Sequence, residues 1–114
     1  MDNAIRVRFE PLRSLAFGSI SGTYAAIGTA LANASHLLKV DNLTDVTQTI
    51  SFDGINDHFV VPAQSGLVLD FSSDMVLPAG KLFLSQGTII YVKQTAGAPS
   101  TGSVYVSSMY ASVN

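Results

Sequence analysis

The sequence predicts an all-β fold, an antiparallel β-sandwich or a jelly-roll-like barrel of about eight strands. Three observations lead to this prediction. Apolar and polar residues alternate over short segments, turn residues recur at intervals of roughly ten positions, and β-branched and aromatic residues are frequent between the turns. Because 114 residues leave room for one hydrophobic core, we expect a single domain over residues 1–114.

The N-terminal third predicts short strands. The motif IRVRFE at residues 5–10 alternates apolar and charged side chains, which is typical of a half-buried strand. Pro11 then ends this strand or leaves it at a sheet edge. Residues 15–27 predict two short strands around a turn. The Ala-rich residues 24–34 leave a short helix as the alternative, although Gly28 and Thr29 interrupt it and no capping box opens it.

The strongest local signal is the segment DGIND at residues 53–57. It lies between the β-rich segments 47–52 and 58–61, and its Gly, Asn and Asp residues tolerate the backbone angles of tight loops, which predicts a β-hairpin. Further strands are predicted at residues 36–40, 66–69, 82–84, 89–93 and from 104 towards 110. We expect the core to contain Ile50, Phe52, Leu67, Leu69, Phe71, Leu82, Leu84 and one of the pairs Ile89/Tyr91 or Ile90/Val92.

The composition indicates a protein that contacts other subunits. Only 12% of the residues are charged while 47% are hydrophobic, against about 25% charged in typical soluble domains. A net charge of −2 with no extended basic tract argues against nucleic acid as a ligand. Without cysteine there is no disulfide framework or thiolate metal site. We see no signal peptide and no membrane span, so we expect a protein made and kept in the cytosol.

No catalytic constellation is evident. His36 and His58 are the only histidines, and the sequence contains neither a nucleophile elbow nor a glycine-rich phosphate loop. We therefore predict no enzyme activity, no catalytic residues and no cofactor. Oxygen-bearing side chains do cluster in two loops, which leaves Ca²⁺ binding as an alternative to turn formation, and we expect turn formation and no metal. These side chains are Asp53, Asn56, Asp57, Asp70 and Asp74.

The tyrosines permit two interpretations. Tyr24, Tyr91, Tyr105 and Tyr110 are suited to stacking on sugars, or to lying in the core or in contacts between subunits. We favour contacts between subunits, because tyrosine is enriched at protein interfaces and the chain lacks the tryptophan that carbohydrate modules commonly use.

Most of the chain from about residue 20 onward resembles small proteins encoded among the virion genes of tailed bacteriophages. The segments that carry the resemblance are NLTD (42–45), ISFDGINDH (50–58), VPA (61–63), LVLD (67–70), GTIIYVK (87–93) and TGSVY (101–105). The resemblance implies a structural protein of the virion, assembled in the host cytoplasm, which forms a ring at the neck between head and tail or decorates the capsid.

Such a protein would form a homo-oligomer and contact virion partners such as portal or tail components, with neither nucleic acid nor membrane as a ligand. An edge strand at residues 4–10, or a C-terminal strand from Val104, would pair with a neighbour's sheet. We expect Arg6, Arg8, Tyr105 and Tyr110 at the interface. The alternative is a carbohydrate-binding or adhesion module of the same fold class.

Overall fold

In the computed structural model, residues 5–70 and 84–113 are described, and residues 5, 6, 112 and 113 by their backbone alone. The described residues form nine strands and one 3₁₀ turn, Phe17–Ser19. The strands are β1 (Ile5–Phe9), β2 (Arg13–Ala16), β3 (Ala25–Ala26), β4 (Leu37–Asn42), β5 (Gln48–Ser51), β6 (Phe59–Val61), β7 (Ser65–Asp70), β8 (Tyr91–Gln94) and β9 (Ser103–Val113).

The strands form two antiparallel sheets, which confirms the predicted β-sandwich class. In the five-stranded sheet, β1 and β2 pair one after the other along one side of β9, β4 pairs with its other side, and β7 pairs with β4. The four-stranded sheet has the order β3-β8-β5-β6. The Ala-rich segment 24–34 contains strand β3 and no helix, because Gly28 with its φ of +72° interrupts any helical turn there.

The hydrophobic core lies between the two sheets. Ile50 is fully buried as predicted, and the choice between the two alternating pairs falls on Ile90 and Val92. Four other predicted core residues pack around this cluster and are partly buried, because they lie on an edge strand or at strand ends: Phe52, Leu67, Leu69 and Leu84. The remaining two predicted core residues, Phe71 and Leu82, lie outside the described residues, as do most of the predicted strand at 82–84 and Asp74.

The hairpin predicted around residues 53–57 is confirmed. Strands β5 and β6 pair with Thr49 opposite Val60 and Ile50 opposite Phe59. Gly54 has a φ of +73°, and a Cβ at this position would lie 3.1 Å from the Tyr91 ring. The turn therefore needs glycine both for its backbone angle and for the space that the ring occupies.

Candidate assembly surface

Strand β1 presents its apolar side chains to solvent. The side chain of Val7 is 59% exposed and that of Phe9 is 68% exposed. Residues 5–9 do form the predicted strand, but the prediction that this strand is half-buried is wrong for both of these residues. Large apolar side chains exposed next to each other on a sheet edge are typical of an interaction surface.

A β-bulge between β1 and β2 explains this orientation. Phe9 pairs with Met109 and Arg13 pairs with Val106, so the three residues 10–12 lie opposite only two residues of β9. The extra residue reverses the alternation of side chains along the strand. Val106 is buried between the sheets, so the side chain of Arg13, which lies opposite Val106, also points inward. Phe9 lies on the other side of the bulge, and its side chain points outward.

A buried ion pair fixes the bulge. Nη2 of Arg13 lies 2.7 Å from Oε1 of Glu10, and both side chains are buried. Arg13 also donates to the carbonyl oxygens of Thr29, at 2.7 Å, and Ala30, at 3.0 Å. The other carboxylate oxygen of Glu10 accepts from the backbone nitrogen of Asn33 at 2.9 Å and from its Nδ2 at 3.1 Å. The bulge is thereby tied to the loop before β4.

The charge of Glu10 is favoured by this environment. Burial by itself raises the pKa of a carboxyl group, but the hydrogen bonds from Arg13, from Asn33 and from the backbone of Ala32 outweigh it, so the pKa of Glu10 lies below its ordinary value. The ion pair is therefore formed across the neutral pH range, and it holds the bulge in one geometry.

Beyond the bulge the sheet narrows to a ribbon. Strand β4 begins at Leu37, which pairs with Met109. From Tyr110 onward, β9 pairs with β1 alone within residues 5–70 and 84–113. A ribbon of two strands is at best marginally stable in water, and a third strand with an apolar face adds the stability that it lacks. The ribbon thus combines exposed apolar side chains with backbone groups suited to further pairing.

Two of the four predicted interface residues meet in this ribbon. Arg8 lies directly opposite Tyr110. Arg6 lies opposite Ser112, and its side chain is outside the described residues. Tyr105 is half-buried on the opposite face of β9 from Tyr110, five residues earlier, because side chains alternate along a strand.

The predicted edge at the C-terminal strand is wrong for the part of β9 from Val104 to Met109. Val104 and Val106 are fully buried, and β9 pairs with strands on both of its sides in this region. An apolar run can indicate a central strand as well as an edge, and here β9 is the longest strand at the centre of the sheet. Among the residues that the structure describes, β1 and β7 are the edges of this sheet, and β9 has an unpaired side only from Tyr110 onward.

Comparisons with known proteins give no match: no family model and no curated protein matches the sequence. Within the part of the chain that the structure describes, no helix is long and apolar enough to cross a bilayer.

A shallow pocket of about 270 Å³ lies beside the bulge. It is lined by Pro11, Leu12, Arg13, Ser14, Gly28 and Thr29. Leu12 is 62% exposed at this position, so the apolar surface continues from Val7 and Phe9 past the bulge. The exposed position of Leu12 was not evident from the sequence. The only signal was Pro11 directly after an alternating segment, which is a feature of bulges and edges.

A second cluster of functional groups lies at the hairpin of residues 53–57. The rings of Tyr24 and Tyr91 meet edge to face at 6.4 Å between centroids. Nζ of Lys93 lies 4.7 Å from the centroid of the Tyr24 ring and 3.0 Å from Oδ1 of Asp57. The hydroxyl of Tyr24 donates to the same carboxylate oxygen. The structure thus brings together two of the four tyrosines and separates them from the pair on β9.

The contacts in this cluster shift the pKa values of Tyr24 and Asp57 in opposite directions. Burial raises the pKa of Tyr24 to about 12, and the hydrogen bond to Asp57 acts in the same direction. The pKa of Asp57 lies below its ordinary value because Tyr24 and Lys93 donate to its carboxylate. At neutral pH the phenol of Tyr24 therefore keeps its proton and Asp57 is an ionised carboxylate.

Asp53 takes the turn-forming role that was predicted for it. Its Oδ1 accepts from the backbone nitrogens of Ile55, at 2.8 Å, and Asn56, at 2.9 Å. These bonds hold the pKa of Asp53 well below its ordinary value. Nδ1 of His58 accepts from the backbone nitrogen of Phe52 at 3.0 Å, so His58 also closes the hairpin. No three Asp, Glu or His side chains in residues 5–70 and 84–113 are placed to share a metal ion.

Proposed function

We propose that this protein is a non-enzymatic structural component of a tailed-phage virion, which assembles into a ring at the head-to-tail junction. The observation that carries the proposal is the outward orientation of Val7 and Phe9 on a sheet edge. Edge strands with exposed apolar side chains are templates for pairing with another chain. Leu12, also exposed, extends the same surface.

The low charge and the resemblance of six segments to phage virion proteins support the same function. A surface with few charges, 12% of all residues, imposes little repulsion between copies packed side by side. Copies joined by two different patches form a head-to-tail contact, which closes into a ring when the rotation between them allows it.

Light scattering and electron microscopy of the purified protein test the proposal. We expect a discrete oligomer of ring shape, which binds the portal or tail proteins of the same virion. Phe9→Ser should shift the protein towards monomer, because it removes an apolar contact from the edge. Ile55→Ser is the matched control, since Ile55 is 80% exposed at the hairpin loop, far from β1 in the sheet order. A monomer at all concentrations that also fails to bind portal or tail proteins would refute the proposal.

The alternative to a neck protein, within the same class of virion structural proteins, is a decoration protein on the capsid surface. Both versions use the same edge for contact. Electron microscopy of virions that carry a label on this protein separates them, because density at the vertex between head and tail supports the neck and density over the capsid faces supports decoration.

The Tyr24 and Tyr91 cluster favours a second candidate, a carbohydrate-binding module. Aromatic rings beside a carboxylate and an ammonium group provide both stacking and hydrogen bonding for a sugar. A glycan array tests this candidate: binding that is lost in Tyr91→Ala and kept in Tyr105→Ala supports it. An array without hits removes it. The assembly function is favoured because both rings already contact other side chains of the chain itself.

A further inference from the structure

We infer that strand β1 of one copy pairs in antiparallel fashion with strand β7 of the next, so that the five-stranded sheet continues from subunit to subunit. This inference rests on the proposed assembly function and specifies the partner of the β1 edge. The occupant of that edge is a second copy of this chain.

Among the described residues, the two strands are the opposite edges of one sheet. Within the described residues, β1 pairs with β9 alone and β7 pairs with β4 alone. No strand within residues 5–70 and 84–113 pairs with the other side of either strand, and a further ladder of hydrogen bonds can form there. A contact between two different edges is head-to-tail, which is the type that generates rings.

The strand directions are matched for this contact. Strand β1 is antiparallel to β9, β9 to β4, and β4 to β7. Three reversals make β7 antiparallel to β1. A second copy placed beside the first with the same orientation therefore brings its β1 antiparallel to β7, as in every other ladder of this sheet.

The exposed side chains also match. Val68 on β7 is 56% exposed, and it lies opposite Lys39, on the outer face of the sheet where Val7 and Phe9 also lie. Directly opposite residues of an antiparallel pair share a face. With Val7 opposite Val68, the register places Phe9 opposite Gly66. Aromatic residues across from a glycine cover the exposed backbone of an edge strand.

The contact supplies what the ribbon lacks. In this register, β7 of the neighbour runs alongside residues 5–10 and becomes the third strand next to the two-stranded part of β1 and β9. The bulge at residues 10–12 makes this contact possible, because it turns the side chains of Val7 and Phe9 to the outer face of the sheet, on which Val68 also lies.

Cysteine cross-linking tests the pairing without interference, because the chain contains no cysteine. The variants are Val7→Cys and Val68→Cys, each at an exposed position. Within one chain these positions lie on strands three ladder steps apart, about 14 Å, which is too far for a disulfide. Any bond between them therefore joins two copies.

We expect neither single variant to cross-link with itself under oxidation, and a mixture of the two to shift from monomer to disulfide-linked dimer on a non-reducing gel. The double variant should give a ladder of covalent oligomers. The matched control pairs Val7→Cys with Val60→Cys, because Val60 is 59% exposed on β6, an edge of the other sheet. We expect no dimer in that mixture. Thermal melts that match the wild type establish that the variants are folded.

Three results would overturn the inference. Dimers of Val7→Cys alone indicate a two-fold β1–β1 contact, and dimers with Val60→Cys indicate pairing with the other sheet. In both cases the protein still assembles, so the proposed function stands while the partner edge is different. Absence of cross-links in a protein that is monomeric by light scattering and binds no virion partner refutes the inference together with the proposed function.

Discussion

Glu10 and Arg13 are joined by a 2.7 Å ion pair inside the protein, and together they bracket the bulge that separates β1 from β2. Removing one partner of a buried pair leaves the other charge uncompensated. We expect Glu10→Gln to lower the free energy of unfolding by about 3 kcal/mol at neutral pH, measured by denaturant titration. Asp41→Asn is the control, because its carboxylate lies 3.5 Å from the exposed ammonium of Lys39 and should change stability by less than about 1 kcal/mol.

The same ion pair makes the free energy of unfolding depend on pH in the acidic range. Because the folded pKa of Glu10 lies below the ordinary value of 4.5, its stabilising effect is complete above that pH and is lost as the pH falls through the folded pKa. We expect the free energy of unfolding to decrease below about pH 4.5. In Glu10→Gln this decrease should be smaller, and an unchanged acid profile in that variant would contradict the assignment to Glu10.

Tyr24 should lose its phenolic proton only in strongly alkaline solution. Its pKa is raised to about 12, while the ordinary value is 10.0, so its stabilising contribution is complete below pH 10 and is lost as the pH rises towards 12. Ultraviolet absorbance of phenolate should show a late step that disappears in Tyr24→Phe and remains in Tyr105→Phe. Asp57→Asn should move the step to lower pH, because it removes the carboxylate that holds the phenolic proton.

Gly102 occupies a position that no other residue fits. Its φ is +88°, and a Cβ there would lie 2.0 Å from the carbonyl oxygen of Leu43. We expect Gly102→Ala to destabilise the protein by about 3 kcal/mol, from backbone strain and from displacement of the chain at Leu43. Gly18→Ala is the control, since a Cβ there meets no atom within 4 Å. Equal melting temperatures for the two variants would contradict the close approach.

The fold class and the hairpin follow from the sequence because they depend on local signals. The DGIND segment contains the residues that its loop requires, and β-branched residues are frequent in the segments on both sides of it. Buried polar residues were not predictable in this way. Asn42 is fully buried, and its Nδ2 donates to the carbonyl oxygens of Val46 and Val61, both at 2.9 Å. Nothing in its neighbours along the chain distinguishes it from an exposed turn residue.

The orientation of β1 could not be predicted from the sequence pattern either. Alternation shows that one side of a strand is apolar, and it does not show which side faces the core. That choice depends on the pairing of residues 10–12 with β9, a contact across almost the whole length of the chain. The partner of Glu10 could likewise be identified only once Arg13 and Asn33 were brought to it by the fold.

The bulge has an evolutionary consequence. Loss of one codon between Phe9 and Arg13 would remove the extra residue, and the regular ladder that remains would still place Phe9 opposite Met109. Val7 and Phe9 would therefore keep their outward orientation. An in-frame deletion at the bulge can thus straighten the strand in a related protein without changing the surface that the strand offers to a partner.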